Sequence, residues 1–446
     1  MLKNVKCAVL YAIITIIICI GLLFVASMIP KNSIKNHMQT SAKELEELDL
    51  FDHVTDYVFI TRQDNYADTL LINIIYNLDE DNRLRSLVSA PYYLPEDVGV
   101  KDAFAETVAN DMKPFDGDEL APGFVDYSRY WHGSQVILRP LFVLFSVSQV
   151  RLLLGIVLLA LTIWFIALLI KHGDRTFAIC YAVALILLNI WMCAFCIEYI
   201  TTFLIMAVQL PVLYSLLIKK RDRLQTLYIV LAVGAIMTAF VDFLTTETIT
   251  LTMPVLIYLL VREKDGHLSF KEESKNLCIG AVIWGICYAG MMAFKWLIAM
   301  AVLGKEAFLE ALSQAALRIG GDATIGNLPG ADAVSNKEQI TGALWRNLSC
   351  LFPFKDSTNA GQTVMFTIIT LFVLFAIWYL FHKKLDESSS AFTLLVLVLG
   401  IIPFIRFLVL NNHAYIHFFF TYRAMIVTLT GLIYLAVKDI SFSRKK

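Results

Sequence analysis

The chain contains a series of uncharged apolar runs, each about twenty residues long, the length that a helix needs to cross about 30 Å of hydrocarbon. Hydrophobic residues make up 58% of the 446 residues and charged residues 17%, against about 25% charged residues in soluble domains. The runs occupy residues 7–28, 148–170, 176–193, 198–218, 225–241, 248–261, 276–298, 363–381, 389–407 and 418–437. They predict an all-α membrane protein with about ten transmembrane helices.

The first run follows Lys3 and Lys6 and has to be distinguished from a secretory signal. It is longer than the roughly 7–15 apolar residues of such a signal, and no small-x-small cleavage site follows it. We therefore expect a retained helix whose N-terminus lies in the cytoplasm. Lys and Arg concentrate in alternate loops, as cytoplasmic loops require; they lie at 171–175, 219–223, 262–275, 383–384 and 438–446. This alternation predicts that both termini are cytoplasmic.

Two long segments are then placed outside the membrane. The predicted division is a first transmembrane helix at 1–28, an outer loop with interfacial helices at 29–147, transmembrane helices 2–7 at 148–298, a second outer loop at 299–362, and helices 8–10 with a cytoplasmic tail at 363–446. The first outer loop is acidic and the inner loops are basic, so the formal net charge of −1 conceals two faces of opposite sign. Nothing in this pattern indicates a nucleic-acid surface.

Both outer loops contain predicted local structure. Residues 40–52 have the composition of a solvated helix, and residues 66–78 place Leu70, Ile74 and Leu78 on one face of a second helix. We expect this second helix to lie at the membrane surface. Residues 136–147 are too short to span and indicate an interfacial or re-entrant piece. The glycines and prolines of the second loop, as in Asn327-Leu-Pro-Gly, predict turns or a mobile cover, a possible lid.

The eight cysteines do not predict a disulfide framework, because most lie within apolar runs where a small hydrophobe packs well. Cys193 and Cys196 form a C-x-x-C, but no second Cys or His pair follows to complete a zinc site. Core packing is therefore favoured over metal or redox work. No metal ligand set is assigned, although a divalent cation is possible as a cofactor.

Ionisable side chains gather at the predicted outer boundary of the membrane. Burying one such side chain at the centre of the membrane costs about 2.5–3.5 kcal/mol, so each one near the membrane is a candidate functional residue. They are Asp64, Asp68, Arg129, His132, Arg139, Glu198, Asp242, Glu247, Lys295, Arg406, His413, His417 and Arg423. Cations at this level can bind a lipid phosphate, with Arg giving bidentate contacts. A nearby carboxylate can accept a proton from a hydroxyl nucleophile. Together these groups favour transfer from a lipid-phosphate donor to an acceptor outside the membrane, with the cations stabilising the departing phosphate.

Simpler explanations exist for single members of the set. Arg and Lys near helix ends often extend to headgroups without a catalytic role. For Arg151 or Lys295 alone, this explanation is as well supported as a functional one. His413 and His417 are four residues apart and can share a helix face as a metal pair would. Without a clear carboxylate beside them, hydrogen bonding to a phosphate or sugar is favoured.

The layout of a cytoplasmic N-terminus, one helix, a long outer loop and many short-looped helices resembles the GT-C superfamily of membrane glycosyltransferases. Three stretches are similar to a group of largely uncharacterised bacterial, mostly Gram-positive, members. They are Tyr127-Ser-Arg-Tyr-Trp-His-Gly with Leu138-Arg-Pro-Leu, Asp242-Phe-Leu-Thr-Thr, and Asn412-His-Ala-Tyr-Ile-His-Phe-Phe-Phe-Thr-Tyr-Arg423. The layout covers nearly the whole chain, whereas the motifs cover only these short stretches.

This resemblance implies a polyprenyl-phosphate sugar donor, a cell-envelope glycan, lipid or protein as acceptor, and a place in the bacterial cytoplasmic membrane. In such enzymes an acidic residue of the first outer loop is the base. That role falls on Asp68 in Ala67-Asp-Thr-Leu-Leu-Ile-Asn73, with Asp64 second. The sequence departs from the familiar adjacent acidic pair, because Asp64 is followed by Asn65.

The remaining ionisable residues receive roles in the same hypothesis. The residues expected to bind the carrier phosphate are Arg129, His132, Arg139, Arg406, His413, His417 and Arg423. Those expected to bind the sugar or the acceptor are Asp242, Glu247, Glu198 and Lys295.

Two other functions are open. A transporter or flippase for lipid-linked saccharides predicts charges at mid-membrane and two related halves with broken helices, and neither is visible in the sequence. A non-catalytic envelope assembly or sensor protein would bind partners through its outer loops and would tolerate the loss of any single Asp.

Overall fold

The computed structural model describes residues 2–55, 59–219, 222–266, 268–320, 335–352, 360–381 and 387–440. The helices are α1 Leu2–Ser27, α2 Lys31–Glu46, α3 Asn65–Tyr76, α4 Arg83–Ser89, α5 Val100–Asn110, α6 Gln135–Phe142, α7 Val147–Lys171, α8 Arg175–Leu187, α9 Ile197–Leu217, α10 Arg223–Val241, α11 Ile249–Glu263, α12 Phe270–Leu303, α13 Lys305–Arg318, α14 Asn336–Ser349, α15 Ala360–Phe381, α16 Glu387–Val409, α17 Asn411–Ile416, α18 Phe418–Thr421 and α19 Ile426–Val437. The four strands have two residues each: β1 Tyr92–Tyr93 pairs with β4 Phe124–Val125, and β2 Phe115–Asp116 pairs with β3 Glu119–Leu120, both antiparallel.

The protein is a helical membrane protein. In the described part of the chain, eight helices are long and apolar enough to cross a bilayer: Leu2–Ser27, Val147–Lys171, Ile197–Leu217, Arg223–Val241, Phe270–Leu303, Ala360–Phe381, Ser388–Val409 and Phe418–Val437, the last combining α18, α19 and the 3-10 turn between them. These agree with eight of the predicted runs. The other two runs form shorter helices, α8 with 13 residues and α11 with 15.

Local backbone conformation and tertiary packing explain why α8 and α11 are short. Asn189 adopts a left-handed conformation and ends the α8 segment, after which Ile190–Phe195 forms a 3-10 helix. Leu244, also with positive φ, lies in the bend that delays the start of α11. Every residue of α11 from Ile249 to Val261 is buried, because α9, α10, α16 and α19 surround it. A helix without lipid contact does not need to match the bilayer thickness.

The outer helices show the opposite pattern. α15 has one described buried residue, Thr363, and α1 and α7 bury only one narrow face. Large apolar side chains such as Phe372 and Leu380 are about three-quarters exposed, at 70% and 72%. Such a continuous apolar surface is typical of a face that contacts lipid.

The helix ends meet in two polar layers. At the end that carries residues 29–146, which we call the loop end, Arg139 donates to the carbonyl of Ile29 at 2.7 Å and Tyr422 donates to that of Leu188 at 2.8 Å. At the opposite end, ion pairs join Lys438 to Glu263 and Arg262 to Glu273. The helices therefore run alternately between the two layers, as a multi-pass bundle requires.

The first long loop is a helical cap rather than a set of surface helices. The predicted helix at 40–52 is wrong in its bounds, since α2 begins after Pro30 and ends at Glu46. Burial of Ile34, Met38 and Leu45 on one face stabilises this longer helix. The predicted helix at 66–78 is confirmed as α3, but its apolar side chains, including Leu71 and Ile75, are buried against other parts of the protein. Residues 136–147 begin within the short helix α6, and their interfacial location stays a prediction.

The second long loop contains α13 and α14. α13 follows α12 directly at Gly304, whose φ of 101° is accessible mainly to glycine. Asn327-Leu-Pro-Gly and the inner-loop cations at 220–221, 383–384 and 444–446 lie outside the described residues.

Candidate functional site

A cavity of about 130 Å³ lies at the loop end, where six separate parts of the chain meet. Its polar lining combines two carboxylates, two imidazoles and one guanidinium, from Asp64, Glu198, His413, His417 and Arg318. Four of these five residues belong to the set predicted from the sequence. The fold thus brings part of that set together in one space.

Asp64 reaches the cavity from the N-cap of α3. Its carboxylate accepts the backbone N–H of Ala67 at 2.9 Å, the usual role of an aspartate at this position. The next residue, Asn65, donates to the carbonyl of Asp49 at 2.7 Å and holds the turn in place. Burial raises the pKa of Asp64 above its ordinary value, because the charged form loses water. A carboxylate with a raised pKa is a better proton acceptor near neutral pH.

Glu198 reaches the same cavity from the first turn of α9. It is half-buried, whereas its neighbours Ile197 and Tyr199 are buried. The N-terminal end of a helix carries a partial positive charge that stabilises an acidic side chain. The two cavity carboxylates therefore share one arrangement, each at the N-terminal end of a helix.

Asp68, which is the first candidate for a catalytic base on the sequence alone, is absent from the cavity lining. It is fully buried and forms an ion pair with Arg151 at 2.6 Å. It also accepts the backbone N–H groups of Ile197 at 2.9 Å and Glu198 at 3.2 Å, and contacts the thiol of Cys196 at 3.4 Å. Both carboxylate oxygens are engaged within the protein, so Asp68 lies in the wall behind the cavity.

The basic side of the cavity comes from α13 and α17. Arg318, at the last position of α13, donates to the carbonyl and side-chain oxygens of Gln314 at 3.2 and 3.1 Å. Its Nε has no hydrogen-bond partner among the described residues. Arg318 lines the cavity, and a guanidinium in such a place is suited to bind a phosphate oxygen.

His413 and His417 stand beside each other, with ring centroids 4.7 Å apart. The Nδ1 atom of each is buried without a partner in the described part of the chain. Burial lowers the pKa of both, for His417 to about 3, so the two rings are neutral at physiological pH. A neutral imidazole can donate or accept one hydrogen bond from each nitrogen.

Aromatic rings form the walls. Tyr66, Tyr127, Tyr130, Phe243 and Phe420 line the cavity, and the Tyr130 and Phe243 rings meet edge to face at 5.3 Å. A pocket with aromatic walls and few polar groups is typical of a site for a small organic ligand.

Arg129 and His132 lie behind this aromatic wall. Arg129 forms an ion pair with Glu310 of α13 at 3.0 Å and stacks on Tyr127 at 4.1 Å. The Nε2 of His132 hydrogen-bonds the carbonyl of Tyr127 at 2.8 Å, and burial lowers its pKa to about 3. Both residues support the wall that Tyr127 presents to the cavity.

Asp242, Glu247 and Arg406 contact other groups in the protein. Asp242 accepts hydrogen bonds from the hydroxyl of Thr202 at 2.8 Å and the N–H of Thr245 at 3.1 Å. Glu247 and Arg406 form a buried ion pair at 2.9 Å. These bonds join the ends of α9, α10, α11 and α16.

The other predicted cations also contact the protein rather than the cavity. Lys295 donates to the carbonyl of Val88 at 2.7 Å, and Arg139 donates to the carbonyls of Ile29 and Ile75. Arg423 donates to the carbonyl of Phe419 at 3.2 Å, while its Nε and Nη2 atoms are buried without partners among the described residues.

Arg318 and Tyr66 line the cavity but were not among the predicted site residues. No local pattern marks Arg318, because it lies in a long loop far from α3 and α17 in sequence. Cys193 and Cys196 are buried free thiols. Among the described residues, no group of three or more His, Cys, Asp or Glu side chains is arranged to hold a metal ion.

The chain matches no protein-family model, no curated protein and no solved structure. Any assignment of function therefore depends on the chemistry of the cavity and on the layout and motifs of the sequence.

Proposed function

We propose that the protein is a GT-C-like membrane glycosyltransferase that moves a sugar from a polyprenyl-phosphate carrier to a cell-envelope acceptor on the outer face of the bacterial cytoplasmic membrane. The observation that supports this most strongly is the cavity itself, whose lining combines two carboxylates with a guanidinium and two neutral imidazoles. A sugar phosphate has matching parts, hydroxyl groups at one end and an anion at the other.

In this proposal Asp64 is the base. It accepts the proton of the acceptor hydroxyl, the acceptor oxygen forms a bond to the anomeric carbon, and the bond from that carbon to the carrier phosphate breaks. Its raised pKa and its place in the cavity lining favour Asp64 over Asp68, whose oxygens are already bonded to Arg151 and to two N–H groups.

Arg318, His413 and His417 bind the phosphate. Their unpartnered nitrogen atoms give one cationic and two neutral donors in one lining. Charge that develops on the departing phosphate is stabilised most effectively by donors that are already in place. Arg129 supports this end through Tyr127 and through its ion pair with Glu310.

Glu198 and the aromatic walls bind the sugar. A carboxylate accepts hydrogen bonds from sugar hydroxyls, and Tyr127, Tyr130 and Phe243 present apolar faces to the ring. Asp242 and Thr202 hold the adjacent turn of α9.

The carrier chain has a nearby place to bind. A groove of about 460 Å³ runs between α7 and α8 and is lined almost entirely by apolar residues, from Leu152 and Leu159 to Ile186 and Ala194. Leu152 follows Arg151 directly, and Ala194 is two residues before Cys196, so the groove begins beside the wall of the cavity. An isoprenoid chain in this groove would have its phosphate close to the loop end.

The proposal is tested with the purified full chain in lipid vesicles, using radiolabelled decaprenyl monophosphate to measure binding and a panel of decaprenyl-phosphate hexoses and pentoses to measure transfer. We expect Asp64→Asn to retain binding and to lose transfer, and Arg318→Ala to weaken binding about tenfold or more. Asp81→Asn is the matched control, because Asp81 is an exposed aspartate of the same long loop whose carboxylate pairs with Lys113 at 2.8 Å.

Two outcomes would count against the proposal. Absence of decaprenyl phosphate binding by the unaltered protein contradicts the proposal. Binding with transbilayer movement of the intact lipid-linked sugar, and no transfer to any acceptor, indicates a flippase.

A further inference from the structure

One buried ion pair connects the two helix ends that carry the cavity carboxylates. Asp64 caps α3, and Glu198 lies in the first turn of α9. Between them, Asp68 of α3 meets Arg151 of α7. The contacting residues Asp68, Arg151 and Ile197 are more than forty residues apart in sequence, so this contact is a tertiary joint.

Arg151 is held to the α3 side of the joint by a fork of hydrogen bonds. Its Nε donates to Asp68 at 2.7 Å, and its Nη2 approaches Asp68 at 2.6 Å and donates to the side-chain oxygen of Asn65 at 2.8 Å. Asn65 is the residue directly after Asp64. Arg151 therefore holds both the first residue of α3 and its first turn.

Asp68 completes the joint on the α9 side. It accepts the N–H groups of Ile197 and Glu198, two of the donors that have no partner within their own helix. Asp68 and Arg151 are both buried, at 0% and 7% side-chain exposure. Removal of one member leaves the other charge buried without compensation, which is far more damaging than loss of an exposed ion pair.

We propose that Asp68 and Arg151 are positioning residues, which hold the N-terminal ends of α3 and α9 together so that Asp64 and Glu198 face the same cavity. The catalytic meaning of this arrangement rests on the proposed function. The joint itself can be tested without any substrate, because a native thiol lies inside it.

Cys196 is this internal reporter. Its Sγ lies 3.4 Å from the Asp68 carboxylate and 3.8 Å from the carbonyl oxygen of Asp64, and the residue is completely buried. Separation of α3 from α9 would expose this thiol. Cys350, equally buried and placed directly after the last residue of α14, reports on opening elsewhere in the protein.

The experiment measures alkylation of Cys196 and Cys350 by N-ethylmaleimide in the full chain, with each site quantified by peptide mass spectrometry. We expect Arg151→Met to accelerate alkylation of Cys196 by a factor of about ten to a hundred, the range for loss of charged hydrogen bonds, while Cys350 stays protected. Loss of the nearby cation alone would slow the thiol, so acceleration reports movement. Arg151→Lys keeps the charge but not the fork, and should give an intermediate rate.

Two further variants make the result decisive. Arg406→Met breaks the other buried ion pair at the loop end, with Glu247, and should leave Cys196 protected. The double variant Asp68→Ala with Arg151→Met leaves no uncompensated charge, and it should expose Cys196 even where the single variant does not fold. Unchanged Cys196 protection in this folded double variant overturns the positioning role.

Transfer and binding assays separate this inference from the proposed function. With both correct, Arg151→Met lowers the turnover of sugar transfer about tenfold or more and leaves decaprenyl monophosphate binding nearly unchanged, because Arg151 is not in the cavity lining. Absence of transfer by the unaltered protein counts against the proposed function alone, since the Cys196 result is independent of it.

Discussion

Asp64 and Asp68 are four residues apart at the start of one short helix, yet they have different surroundings. Asp64 caps the helix and faces a cavity, whereas Asp68 is bonded to Arg151 and to the first N–H groups of α9. The sequence singles out both carboxylates and ranks Asp68 first, whereas Asp64 and not Asp68 lines the cavity. The deciding partner, Arg151, is 83 residues from Asp68 in sequence and no local pattern connects them.

The two aspartates should differ in their contribution to stability. Asp68→Asn leaves Arg151 buried without its counter-charge and should lower the free energy of unfolding by about 3–5 kcal/mol. Asp64→Asn should lower it by less than about 1 kcal/mol, because asparagine caps helices as well as aspartate does. Denaturant titration in detergent micelles measures both values, and equal losses would show that Asp64 and Asp68 have the same structural role.

The pH dependence of transfer follows from the surroundings of Asp64. Burial raises its pKa above the ordinary 3.8, and a base must be deprotonated to work. The rate should therefore fall as pH falls through this raised pKa, with a midpoint well above 3.8. His417 is already neutral above about pH 3, so it contributes no second step between pH 5 and 8. An acidic limb that disappears in His417→Asn would contradict this assignment of the base.

At the scale of elements, the sequence locates the membrane helices well and their neighbours poorly. Apolar length alone predicts about ten crossings, because the hydrocarbon thickness sets that length, and eight of them are long apolar helices in the described part of the chain. It does not reveal that α11 is enclosed by protein while α15 faces outward, because both helices are apolar on all sides. The apolar spacing of residues 66–78 predicts α3, whereas the burial of α3 depends on contacts with α2, α5 and α9.

This difference between α11 and α15 predicts unequal effects of truncating an apolar side chain. Leu256 of α11 is completely buried, so Leu256→Ala should lower the free energy of unfolding by about 2–5 kcal/mol. Phe372 of α15 is 70% exposed, and Phe372→Ala should cost less than about 1 kcal/mol. Unfolding of both variants in detergent micelles measures these costs. A larger loss for Phe372→Ala would mean that α15 packs against a partner.

At the scale of the whole molecule, the polar layer at the loop end was partly predictable. The alternation of basic loops predicts which helix ends face the same side, and the contacts at both ends of the bundle agree with it. The sequence does not show which charges at that level face a cavity and which bond to one another. Asp242, Glu247, Lys295 and Arg406 satisfy each other or the backbone, and this depends on helix ends that only the complete fold brings together.

The orientation of the bundle is a prediction for the intact cell. Lys113 is exposed in the first long loop, and Arg175 is exposed at the opposite end. A membrane-impermeant maleimide should label Lys113→Cys in intact cells and Arg175→Cys only after permeabilisation, as the distribution of basic loops requires. The unaltered protein, with its eight native cysteines, gives the background. Labelling of Arg175→Cys in intact cells would show that the orientation is the reverse of the predicted one.

The central claim is that a polyprenyl phosphate binds in the cavity between α3, α9, α13 and α17. A cryo-electron microscopy structure of the full chain in lipid nanodiscs with decaprenyl monophosphate tests it most directly. We expect the phosphate within hydrogen-bond distance of Arg318, His413 and His417, with the chain leading to the groove between α7 and α8. Phosphate density elsewhere, with this cavity empty, would contradict the account.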